Sequence, residues 1–141
     1  MQLAAAQVIA TLAARLVPLS LGTPLQTTRE DGVTPDQLPA AWLWGGQENV
    51  ERITLEHLHE HRLDITLRIV VAASAHIDDA MNTIGAEAMA LLFAEPMPPF
   101  DLEHTGIDRE AATRGGTRCG VITLTARATY QVYPGAPDVL V

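Results

Sequence analysis

The sequence predicts an α+β fold: a mostly antiparallel or mixed sheet of about four to five strands with two helices packed on one face. Two segments repeat apolar residues at helical spacing, and two others alternate apolar and polar residues over Arg62–Val71 and Val121–Val132. Their order along the chain is helix, strands, helix, strands. The 141 residues, 48% hydrophobic and 18% charged, suit a single core, since domains commonly run to about 100–150 residues. Residues 1–133 are expected to form one domain, and residues 134–141 an extended C-terminal tail.

Taken in order, residues 1–17 read as a helix. Ala5, Ile9, Leu12 and Leu16 recur at three- and four-residue spacing, alanine is abundant, and Pro18 is placed to end it. From Leu19 to Pro39 the residues are those of turns, including Gly22, Pro24, Asp31, Gly32 and Pro35, so a long connection is expected with one short strand near Leu25–Thr28. Ala40–Trp44 reads as a buried strand closed by a sharp turn at Gly45–Gly46, with a polar stretch, Gln47–Arg52, after it.

In Arg62–Val71 the residues Leu63, Ile65, Leu67, Ile69 and Val71 share one face of a strand. The same parity runs back through His61, His59 and His57, as one long ribbon or as two strands joined by a bend near Glu56–Glu60. Asp78–Phe93 reads as the second helix. Ile77, Met81, Ile84, Ala88, Leu91 and Leu92 lie on one side, and Asp78 and Asp79 sit at the dipole-favoured start. Met97–Phe100 is a turn, Asp101–Glu110 a strand of open register, and Ala111–Gly120 a loop with Gly115–Gly116 at its tip. Val121–Val132 alternates again, with Ile122, Leu124, Ala126, Ala128, Tyr130 and Val132 on one face. The tail holds Pro134 and Pro137 yet ends apolar, which predicts that it docks.

Composition narrows the function. The net charge is −8, and the nine basic residues, all arginine, are scattered, which argues against a surface that tracks phosphates. No stretch supplies the roughly 20 uninterrupted apolar residues of a membrane span, and the first residues lack the basic start of a secretory signal. A soluble chain without membrane partners is expected. The single cysteine, Cys119, offers no internal disulfide.

Motifs for chemistry are sparse. His57, His59 and His61 have the i, i+2 spacing that lets strand imidazoles chelate a transition metal. The outer two would lie roughly 13 Å apart on a straight strand, so at most two bind one ion and a third ligand must come from elsewhere. The plainer alternative is a polar, pH-responsive strand end. Neither Gly45–Gly46 nor Gly115–Gly116 is followed by lysine or opens a helix, as a phosphate loop requires. Ser20 and Ser74 lie in no nucleophile elbow. Trp42 and Trp44 share one side of their strand, as core residues or as anchors of a subunit interface.

Several features resemble, by their order along nearly the whole chain, the tail terminator proteins of long-tailed phages, the minor tail protein U type, and their relatives in phage-like gene transfer particles. They are the opening helix Gln7–Leu16, the strand and turn Pro39–Gly46, the strand Arg62–Val71, the Asp78–Met81 helix start and the closing strand Ile122–Tyr130. The resemblance implies a non-enzymatic virion protein without a cofactor, built in the cytoplasm of a bacterial host. It would form a ring of six copies on the head-proximal end of the tail tube, stopping polymerisation and meeting a head-side connector or stopper protein while DNA passes through. On that basis Glu48, Glu51, Glu56 and Glu60 are the candidates for the rim or channel, where acidity would keep DNA from sticking, although acidity also serves solubility. Trp42, Trp44, Val139, Leu140 and Val141 are the candidates for interfaces. The alternatives are another neck or tail-completion protein of the same particle, a small metal-binding enzyme using the His57/His59/His61 row, or a monomeric binding module.

Overall fold

The computed structural model describes residues 2–30, 34–55, 57–72, 75–96, 98–114 and 116–141, except the side chains of Pro35, Arg114 and Thr117. Asp31, Gly32, Met97 and Gly115, expected in loops or turns, lie outside the described residues. The elements are α1 (Ala4–Arg15), a 3-10 turn (Pro35–Gln37), β1 (Ala40–Arg52), β2 (His59–Ala72), α2 (Ile77–Leu92), β3 (Asp101–Arg114) and β4 (Thr117–Val132). The four strands form one antiparallel sheet in the order β1-β2-β4-β3. The chain is thus the α+β fold that the alternation predicted, with two α-helices and four strands among the described residues.

Both helices lie on the same face. There α1 packs on β1, α2 packs on β2 and β4, and the helices touch each other. Leu63, Ile65, Leu67, Ile69 and Val71 of β2 and Ile122, Leu124, Ala126, Ala128, Tyr130 and Val132 of β4 supply the sheet's half of the core. The helices answer with Val8 and Leu12 of α1 and Met81, Ile84, Ala88 and Leu92 of α2. The buried stripe of α1 runs through Ala4, Val8 and Leu12, one residue from the expected Ala5 and Ile9, which are only partly buried.

Helix ends expose backbone groups that need partners, and other parts of the chain supply them. Pro137 of the tail accepts a hydrogen bond from the Ala4 amide at 2.9 Å, and Gln7 Nε2 donates to the Asp138 carbonyl. At the end of α2, the Arg15 guanidinium donates to the carbonyls of Ala94 (2.8 Å), Leu92 (3.4 Å) and Pro96. The tail is held further along by Val141, whose amide donates to Gln131 at 3.0 Å, and by Leu140, which packs on the core.

The face away from the helices divides in two. Near the start of β1, Ala40, Trp42, Val70, Cys119 and Val121 form a second apolar cluster. The long connection reaches it by way of Gln26, which hydrogen-bonds beside β1 to Ala41 and Leu43, and Glu30, whose carboxylate meets Arg68 at 2.8 Å. Instead of the expected strand near Leu25–Thr28 there is a single parallel bridge, Gln26 to Trp42. The rest of this face is polar.

Two sequence expectations give way to longer strands. Gly45–Gly46 does not close a strand: β1 continues to Arg52, and the pair sits at a bulge between the Gly45–Ile65 and Glu48–Leu63 pairings. The expected loop Ala111–Gly120 is mostly ladder, since β3 and β4 stay paired out to Arg114 and Thr117.

Candidate functional site

The groups that carry chemistry gather where β1 and β2 run past the helices, and the β1 bulge decides which way they face. Two residues, Gly46 and Gln47, stand opposite Asp64 alone, so side-chain parity reverses beyond them. Glu48 pairs with Leu63 and turns to the helix side, whereas Glu51 pairs with Glu60 and both turn outward. The acids proposed as one rim therefore divide between two faces. Glu56 lies outside the described residues.

On the outer face, Glu51 and Glu60 are cross-strand neighbours of like charge. Arg62 Nη2 sits between them, 2.7 Å from Glu60 and 3.5 Å from Glu51. Such exposed pairs contribute about 0–1 kcal/mol each, so their main effect is local charge. Further along, Arg127 meets Asp64 at 3.2 Å, and the Arg68 guanidinium lies 5.5 Å from the centre of the Trp44 ring. Trp44 is half-buried, whereas Trp42 is sealed in the core of the monomer.

On the helix side, Glu48 Oε1 receives two donors, His61 Nδ1 at 2.8 Å and the hydroxyl of Tyr130 from β4. The His61 and Tyr130 rings stack with centres 5.3 Å apart and planes 21° from parallel. Burial above all, then the hydrogen bond to Glu48 and its negative charge, holds the Tyr130 phenol protonated far beyond its ordinary range. His59 shares this side of β2. His57 does not belong to the row: it sits in the turn between the strands with φ 64°, its amide donating to Thr54. Among the described residues, no three histidine, cysteine or acidic side chains gather to hold a metal ion.

Glu48, His59, His61 and Tyr130 line one side of a cavity of about 130 Å³. The first turn of α1, with Ala5, the last residue of β4, Val132, and the chain after it, with Tyr133, Pro134 and Pro137, close the rest. Nothing in the sequence links Tyr130 to Glu48: unbroken alternation from Ala41 and Leu43 would put Glu48 on the outer face, and the bulge turns it to the helix side.

A second charged feature also escaped the sequence. Thr105 is the extra residue of a bulge in β3, between the His104–Ala126 and Gly106–Thr125 pairings. Asp101 and Glu103 before it, and Asp108 and Glu110 after it, consequently share the outer face although their numbers differ in parity. All four are exposed, and none has an ion pair among the described residues. Apolar side chains also stand out in water at the β1–β2 turn: Val50, Ile53 and Leu55, the last 91% exposed. In the tail Val139 and Val141 are exposed, while Leu140 faces the core.

No helix of the structure is long and apolar enough to cross a membrane. No protein-family model matches the chain, and no curated protein matches it either.

Proposed function

We propose that the chain is a structural subunit of a phage-like particle: a tail terminator that forms a ring, of six copies by the resemblance, on the head-proximal end of the tail tube. There it stops polymerisation and joins the tail to a head-side connector. The observation that carries this is the outer face of the sheet. Asp101, Glu103, Asp108 and Glu110 stand in a column on edge strand β3, and Glu51 and Glu60 stand across the sheet on β1 and β2. Arg62, Arg68 and Arg127 share that face with these six acids and Asp64, so among the described strand residues it keeps a negative balance. Repeated round a ring, it makes a wall that repels phosphates, suited to passing DNA without holding it.

The edges supply a means of closure. β3 is an edge strand along its whole length, and β1 is one beyond the Gln26 contacts, so each offers backbone donors and acceptors. Contact between unlike edges of neighbouring copies is head-to-tail, and it closes into a ring when the rotation per copy completes a circle. The exposed Val50, Ile53 and Leu55 give the apolar anchors that an axial partner, tube or connector, requires.

The test is tube growth. Added to a polymerising tail-tube protein, the chain should arrest elongation and leave an extra ring at one end only, visible by negative stain. Unchanged tube lengths, with no end density at saturating protein, would refute the proposal.

A further inference from the structure

We propose that the cavity beside Glu48 is a binding site for a small organic cation, an ammonium or guanidinium head on a short aliphatic stem. The site does not depend on the ring. At about 130 Å³ the cavity has room for a group the size of one side chain, well below the roughly 300–1,000 Å³ of sites that take whole cofactors.

The lining sets the chemistry. Val132 and Pro134 give apolar wall for a stem, and among the described residues Glu48 is the only acid that lines the cavity. The Glu48 carboxylate makes the site disfavour anions. Both donors to Glu48 go to Oε1, so its second oxygen takes neither of them and keeps lone pairs for an N–H donor. The Glu48 side chain is 27% exposed, enough for a solute to reach it. Tyr133, which is partly exposed at the same cavity, adds an aromatic ring of the kind that attracts a cation. A metal is the poorer fit, because no third ligand joins the group among the described residues and His61 Nδ1 is already engaged by Glu48.

The experiment titrates the full chain with n-butylamine and with methylguanidine at pH 8 and constant ionic strength, with sodium butyrate as the control. The ring signals of His59, His61 and Tyr130 are followed by NMR. Saturable shifts are expected with either cation and none with butyrate. Glu48→Gln should weaken binding at least tenfold, whereas Glu51→Gln and Glu60→Gln should leave it unchanged. Because Glu48 also holds Tyr130, Ala5→Met provides a second variant that fills the cavity without touching the carboxylate, and it too should abolish the shifts. Shifts that never saturate, that butyrate reproduces, or that survive in the folded Ala5→Met protein would overturn the proposal. Light scattering during the titration separates the sources of the cation. Loss of assembled mass as methylguanidine saturates identifies an arginine of a neighbouring chain, and constant mass identifies a free solute.

Discussion

Glu48 accepts from two residues that reach it from different strands, one of them 82 positions away in sequence. At the residue scale this polar junction has a pH signature. The Tyr130 phenol is held above its unfolded value near 10, so the neutral form is the one the fold favours. Its contribution to stability is complete below about pH 10 and is lost as pH rises further, towards the folded-state value. Thermal melts between pH 8 and 11 should therefore fall steeply at the alkaline end, and Tyr130→Phe should flatten that fall. Equal slopes in the two proteins would mean that the phenol does not report on folding. The junction was hidden in the sequence because Glu48 lies in a polar stretch that reads as following a turn, and nothing there marks the bulge that turns it to the helix side.

At the scale of elements, periodicity identified what regular geometry dictates. Arg62–Ile69 alternates without a break and lies within β2, while the i, i+4 repeats of the second helix match α2 within a residue at each end. Irregular geometry was not legible. The glycine pair at 45 and 46 suits a turn as well as a bulge, and the strand beyond it is too polar to announce itself. In β3 a single extra residue, Thr105, reverses the faces, and nothing in Asp101–Glu110 marks where it falls.

The same scale shows one element finishing another. Arg15, in the last turn of α1, serves the carbonyls beyond α2 and complements the negative end of that helix dipole. Arg15→Ala should cost about 1 kcal/mol, since these bonds are partly exposed. It should also speed amide exchange in the last turn of α2 while sparing the sheet. Exchange that rises uniformly would place the effect elsewhere.

For the whole molecule, the tail and the outer face matter most. The tail caps α1 through Pro137, pairs with β4 through Val141 and packs Leu140 on the core. Deleting residues 134–141 should therefore destabilise the domain by roughly 2–4 kcal/mol, combining a lost cap, a hydrogen bond and apolar burial. A thermal melt checks this, and an unchanged midpoint would mean that the tail adds nothing to the fold. The outer face bears on function instead. Neutralising the β3 column with Asp101→Asn, Glu103→Gln, Asp108→Asn and Glu110→Gln should leave the melt within about 1 kcal/mol of wild type, because exposed charges contribute little. In particles carrying those changes DNA release should slow, and unaltered release would remove the column from the channel.

The proposed function requires copies of this chain to close into a ring. Light scattering combined with negative-stain imaging of the purified protein, with and without tail-tube protein, tests it most directly. Closed rings of uniform mass are expected, alone or seated on one end of each tube. A strict monomer at every concentration, never found on a tube end, would contradict it.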